Sequence, residues 1–348
     1  MRWNVATAMP SMVVCLLTAL PTVAAESWLG DTALEQDNGV SPYNECGGDG
    51  GLVCVCEPQT CYSIGANLLW LGRSQGENNS LLGVPANLNP PNFRLLEVSD
   101  MEFNVAAGID IGFRARRPSG RSGELRYFGI YDQSARERRT YDDGDADPTN
   151  DATIVHLGVY HGSYTDLTTE YSSDLHSGEA NLWLNQWWRL EPVVGFRWVR
   201  QSEELESFVT TDFGEGSLIE FTNNMYGGQL GFRTVLWETP SRFRVEATLK
   251  GAVFTNSTSL GGETRTGGVA TPTPGTSSNT TSYAGELTVS AVYQITRRFS
   301  ARIGYNGLWL DRVGLAADQL DESFFAPGTT DLTTLIYQGG HLGIEYAW

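Results

Sequence analysis

Seventeen charged residues fall at alternate positions in segments whose intervening positions are largely apolar: Glu102, Asp110, Arg114, Arg116, Glu124, Arg126, Glu179, Arg189, Glu191, Arg197, Arg233, Arg244, Glu246, Lys250, Glu286, Arg302 and Glu345. Nine are basic and eight acidic. In extended chain this alternation puts them all on one face. A balanced set on one enclosed face can neutralise itself by pairing, or line a small aqueous passage with weak ion selectivity. Lys250 is the only lysine, so nearly every cation is a guanidinium, whose planar fork suits carboxylate partners.

Catalytic and metal chemistry find less support. The histidines are His156, His161, His176 and His341, and none stands in a recognisable nucleophile and base arrangement. His341 alternates with apolar positions and is expected to be a paired interior residue, whereas His156 and His161 read as loop surface. Asp142, Asp143, Asp145, Asp147 and Asp151 could offer oxygens to Ca²⁺, but their spacing is not that of an EF-hand loop and reads as a solvated acidic loop. Cys46, Cys54, Cys56 and Cys61 lack paired C-x2-C knuckles and a nearby histidine, which disfavours zinc. In an oxidising compartment their even number points to two disulfides, with three pairings open. No enzyme activity, cofactor or metal is expected.

The elements that carry the charges are strands. From Tyr62 to Trp70, and again over 242–254, 299–311 and 333–348, apolar residues recur with period two, which excludes amphipathic helices. Segments of this kind lie at 62–73, 101–116, 122–132, 168–184, 188–200, 221–237, 242–254, 282–295, 299–311 and 333–348, which predicts about ten strands, within a range of eight to twelve. Their connections alternate in length. Tight turns at 117–121, 185–187, 238–241 and 296–298 alternate with long polar stretches at 74–100, 133–167, 201–220, 255–281 and 312–332. The stretch 255–281, rich in Thr, Ser, Gly and Pro, reads as flexible surface.

Short turns at one end and long loops at the other are the pattern of a closed antiparallel barrel in a bacterial outer membrane. Aromatic pairs on one face, such as Tyr62 with Trp70 and Phe299 with Trp309, stand eight to ten residues apart. Ten tilted residues rise about 25 Å, the height of an outer-membrane apolar band. The apolar face is therefore expected to meet outer-membrane lipid and the charged face a lumen. A barrel of about ten strands leaves a narrow interior, so a wide porin is not expected.

The N-terminus reads as an export signal: Arg2, an apolar run from Met12 to Leu20, and a small-residue site at Val23-Ala24-Ala25. The expected organisation is a signal over 1–25, an irregular disulfide-tied segment over 26–61 and a barrel over 62–348. Hydrophobic residues make up 41% and aromatics 11%, so disorder is excluded, and a net charge of −18 argues against nucleic acid as a partner.

Several stretches resemble the bacterial family of putative β-barrel porins numbered seventh: NNMYGGQLGF from Asn223, RFRVEATLKGAVF from Arg242, GELTVSAVYQIT from Gly285, GYNGLWLDRVGLAADQL from Gly304 and GGHLGIEYAW from Gly339. The resemblance implies an outer-membrane barrel and names no solute. Ile344, Tyr346 and Trp348 also resemble the C-terminal aromatic signal read by the outer-membrane barrel assembly machinery. The leading expectation is a narrow porin-like channel or a structural barrel, with monomers favoured. The alternatives are a secreted or surface-exposed all-β carbohydrate-binding or adhesin protein, and a barrel hydrolase.

Overall fold

The computed structural model describes residues 60–74, 81–85, 96–97, 100–140, 152–153, 155–156, 159–160, 166–209, 215–240, 242–266, 268–320 and 331–348. Ten strands form one closed antiparallel barrel. In chain order they are β1 (Cys61–Arg73), β2 (Ala106–Arg116), β3 (Ser122–Thr140), β4 (Asp166–Trp183) and β5 (Leu190–Val209), followed by β6 (Glu215–Glu238), β7 (Phe243–Thr266), β8 (Val269–Gln294), β9 (Phe299–Val313) and β10 (Thr333–Ala347). Each strand pairs with its neighbours in sequence, and β1 closes the ring on β10 with Leu68 opposite Leu342. Closure leaves no barrel edge with unpaired backbone groups.

The alternation seen in the sequence sets the two faces. On β10, His341, Gly343, Glu345 and Ala347 are buried while Leu342, Ile344, Tyr346 and Trp348 are exposed. The charged face points inward and the apolar face outward, the reverse of a water-soluble sheet. Outward residues include Ile64, Leu68, Trp70, Phe113, Leu125, Phe196, Leu230, Val253, Ile303 and Trp309. So continuous an apolar belt would be an aggregation surface in water, and its natural solvent is lipid.

At one end the connections are tight. Arg117 N–H donates to Arg121 O at 2.8 Å, Trp187 and Leu190 exchange backbone bonds of 2.9 and 3.0 Å, and Ile295 N–H donates to Phe299 O at 2.9 Å. Gly120, Trp188 and Arg242 occupy the left-handed region in these turns, with φ of 86°, 59° and 78°. Only the first is a glycine, so the other two carry a steric cost.

At the loop end the strands run further than the sequence pattern implied. The expected loops over 133–167, 201–220 and 255–281 contribute strand residues 133–140, 201–209, 215–220, 255–266 and 269–281. Above the lipid both faces of a strand can be polar, so the apolar alternation disappears while backbone pairing continues, as in Ser257 opposite Asn279 and Thr258 opposite Ser278. In the other direction, 101–105 precede β2 and are not strand. The expected signal over 1–25, and Cys46, Cys54 and Cys56 with their pairing, lie outside the described residues; Cys61 is buried at the start of β1. His156 sits in a two-residue strand, Val155–His156, paired with Val159–Tyr160. His161 and the aspartates of 142–151 lie outside the described residues.

Candidate functional site: the barrel interior

The interior is built in layers, each drawing one residue from several strands because inward positions at the same height face one another across the ring. Near the turn end, Arg114 of β2 and Arg233 of β6 flank Glu191 of β5, with Arg233 Nη2 at 2.8 Å from Glu191 Oε2. Both guanidiniums stack on Trp183, at 5.0 and 4.6 Å from its ring centre. Arg302 pairs with Glu345, and Arg244 Nε lies 3.3 Å from Glu246 Oε2. This layer borders a polar cavity of about 120 Å³ that Asn67, Glu124, Thr288 and His341 also line.

Above it six charges from six strands neutralise one another. Arg126 of β3 contacts Asp110 of β2 at 2.8 Å, Glu286 of β8 at 2.6 Å and Glu179 of β4 at 3.1 Å. Arg197 of β5 reaches the other oxygen of Glu286 at 2.6 Å, and Lys250 of β7 reaches Glu179 at 2.6 Å. Asn67 donates to Asp110, and Asn181 and Gln229 donate to Glu179, so the carboxylates are also hydrogen-bonded. Three acids face three cations, the condition under which buried charge is tolerated. His341 sits nearby with Nε2 at 3.0 Å from Ser290 Oγ, in space left by Gly304, where a Cβ would collide with the imidazole ring.

The next layer is apolar. Leu69, Leu71, Phe128, Ile130, Leu175, Val199, Met225, Phe254, Leu308, Leu310 and Leu335 all point inward, most of them almost completely buried, and form one cluster with Leu315. Leu315 arrives from the segment after β9, which turns into the barrel: Gly314 through Gln319 are all buried, and Ala317–Leu320 forms one 3-10 turn. Side chains of the wall hold this segment. Asn223 Oδ1 accepts from Gly314 N–H at 3.1 Å and its Nδ2 donates to Gly314 O at 2.8 Å, while Glu203 Oε2 accepts from Ala316 N–H at 2.8 Å.

Glu203 has two further partners. Arg73 Nη1 lies 2.7 Å from its Oε1, with both side chains fully buried, and Tyr171 donates its hydroxyl to Oε2. Arg73 in turn lies over the Phe103 ring at 4.1 Å.

Of the seventeen charges singled out from sequence, fourteen lie in these interior layers and Arg116 stands half-buried at the turn end. Glu102 and Arg189 do not line the interior. Glu102 falls in the non-strand stretch before β2, and Arg189 lies in the turn before β5; both are exposed because strand alternation does not extend to either. Sequence reasoning missed Arg73, Tyr171, Glu203 and Asn223. Arg73 shares parity with the inward Leu69 and Leu71, a readable signal. Glu203 lay in a stretch read as loop.

A lipid-matched belt, a self-neutralised interior and a closed ring of strands define a transmembrane β-barrel of the outer-membrane type, with its tight turns periplasmic and its long connections extracellular. A family model described as Putative beta barrel porin-7 matches residues 131–348, more than half of the chain, and the protein belongs to that family. No curated protein matches it. Among solved structures, the outer membrane protease OmpT from Escherichia coli aligns over 84% of this chain and 97% of its own, at 13% identity and a TM-score of 0.45. The Pseudomonas putida toluene transporter TodX aligns over 84% and 90%, at 9% identity and a TM-score of 0.30. The Ralstonia pickettii toluene transporter TbuX aligns over 85% and 91%, at 11% identity and a TM-score of 0.29.

Proposed function

We propose that the protein is a structural outer-membrane barrel, closed across its interior and without catalytic chemistry, exported by cleavage of residues 1–25 and inserted as a monomer by the barrel assembly machinery. The observation that carries this reading is the apolar layer from Leu69 to Leu335, capped by the inward segment 314–319 and underlain by the six-charge network. An ion crossing that layer would shed its water against hydrocarbon side chains, and apolar constrictions of this kind block conduction. Ile344 and Tyr346 face outward on the last strand and Trp348 is exposed just beyond its end, where assembly factors could read them before closure. The Ser290–His341 pair reads as an interior hydrogen bond, because no carboxylate orients the second imidazole nitrogen.

The second reading, a narrow gated channel, is favoured by the inward segment itself. A few side-chain hydrogen bonds from Asn223 and Glu203 hold Gly314 and Ala316, and such bonds can be exchanged for water. Swelling of proteoliposomes in small sugars separates the two readings. A closed barrel leaves the swelling rate at that of protein-free vesicles. Swelling that slows as the sugar grows larger would sink the structural reading and install the channel.

A further inference from the structure

The periplasmic rim carries a charge opposite to that of the protein as a whole. Its four turns present six exposed arginines: Arg117 and Arg121 between β2 and β3, Arg189 between β4 and β5, Arg242 between β6 and β7, and Arg297 and Arg298 between β8 and β9. Among the described residues of these turns the only carboxylate side chain is Glu238, in a chain whose net charge is −18. The interior acids nearest this end are already taken, Glu191 by Arg114 and Arg233 and Glu345 by Arg302. Among the described residues no acid pairs with Arg117, Arg121 or Arg298.

Two pairs of these arginines flank the seam where β1 meets β10. On the outer surface of the seam Phe113, Tyr62, Trp348 and Tyr346 form one row of exposed rings, with successive centres 6.1, 6.0 and 5.8 Å apart. On one side of the row, Arg117 continues the outward parity of Phe113 and Ala115 on β2, and Arg121 that of Gly123 and Leu125 on β3. Arg117 N–H donates to Arg121 O at 2.8 Å, so two guanidiniums flank one hairpin. Like charges set opposite one another across paired strands repel. On the other side, Ala347 N–H donates to Arg298 O at 2.8 Å, which brings the turn of Arg297 and Arg298 beside Tyr346, itself opposite Phe299.

We propose that the outer face of this seam binds anionic phospholipid of the periplasmic leaflet, its acyl chains against the aromatic row and its headgroup phosphates held by the two arginine pairs. Arg117 lies four residues beyond Phe113, about 10 Å along the membrane normal at roughly 3.3 Å per residue and a tilt near 40°. The headgroup layer is about 5–8 Å thick, so a flexible arginine side chain reaches back into it. A guanidinium fork grips a phosphate through paired N–H donors, and an anion shared by Arg117 and Arg121 offsets their repulsion. With the α-carboxylate of Trp348 set against one of them, the four arginines still leave surplus positive charge at the seam. The source is membrane lipid and not dissolved phosphate, because Arg117 and Arg121 continue the parity that faces lipid. The inference rests on the periplasmic placement of the tight turns and not on whether the interior conducts.

The test is a competition between phosphatidylglycerol and phosphatidylcholine in vesicles that hold equal parts of each. The full mature chain is extracted from them in zwitterionic detergent and washed at low salt, and the lipid it retains is counted by mass spectrometry. The parent protein keeps phosphatidylglycerol over phosphatidylcholine by about tenfold, and the preference collapses near 1 M salt, where the screening length falls to about 3 Å. The triple variant Arg117→Gln, Arg121→Gln, Arg298→Gln loses about tenfold in preference at low salt, the combined effect of three modest contacts. An extracellular control, Arg136→Gln with Arg138→Gln, retains lipid as the parent does. Gel mobility before and after boiling verifies that each variant is folded. Equal retention of the two lipids by the parent, or a preference that survives the rim substitutions, would overturn the proposal. So would displacement of the lipid by inorganic phosphate far beyond that by chloride at the same ionic strength, which would make the site one for the free ion.

Discussion

The two halves of the barrel interior solve the same packing problem with opposite chemistry. The periplasmic half is filled by guanidiniums and carboxylates around a small polar cavity, and the extracellular half by leucines, aromatics and an inward-turned piece of the chain. In the first half Arg126, Arg197, Glu179 and Glu286 each meet more than one opposite charge drawn from different strands, so losing one leaves others. In the second the buried pair of Arg73 with Glu203 stands against the rings of Phe103 and Tyr171 and also holds the plug segment through Ala316. Charge shared among several ion pairs tolerates change, whereas a buried carboxylate that meets one cation does not.

Substitutions can break this comparison, and stability can be read by urea titration of the protein in phospholipid vesicles. The largest effect is expected from Arg73→Met, which leaves Glu203 buried and uncompensated at a cost of about 3–5 kcal/mol. Loss of protection from hydrogen exchange at Ala316 should accompany it. Leu308→Ala opens a cavity in the apolar layer and costs about 2–5 kcal/mol; a cost below 1 kcal/mol would mean that the layer is loosely packed and the contrast overstated. Arg302→Gln, in the wetter periplasmic half and partly exposed, should cost only about 1 kcal/mol or less and matter least at high salt. The smallest change is expected outside both halves. Trp188→Gly relieves a left-handed residue in a periplasmic turn and should stabilise by about 0.5 kcal/mol, steric relief set against the entropy of glycine.

The fold was legible wherever lipid forces a pattern. Strand ends on the periplasmic side fall within about two residues of expectation, because tight turns and aromatic belts mark them: β2 ends at Arg116 and β9 begins at Phe299, as the alternation predicts. The extracellular extensions of β3, β5, β6, β7 and β8 were illegible because water on both faces removes the alternation while leaving the ladder intact. The interior charges were readable as a face but not as partners, since register and side-chain reach decide that Arg126 meets three acids from three strands. Least legible was the plug. Gly314 to Gln319 has loop composition, and only the three-dimensional ring shows that it turns inward against Glu203 and Asn223.

The most direct test of closure is single-channel recording in planar bilayers, with insertion verified by mobility before and after boiling. The account predicts a silent bilayer for the parent protein at any moderate voltage, and discrete openings for a variant lacking residues 314–319 in which Leu69 and Leu308 are also replaced by serine. Steady ohmic conductance from the parent protein would contradict it.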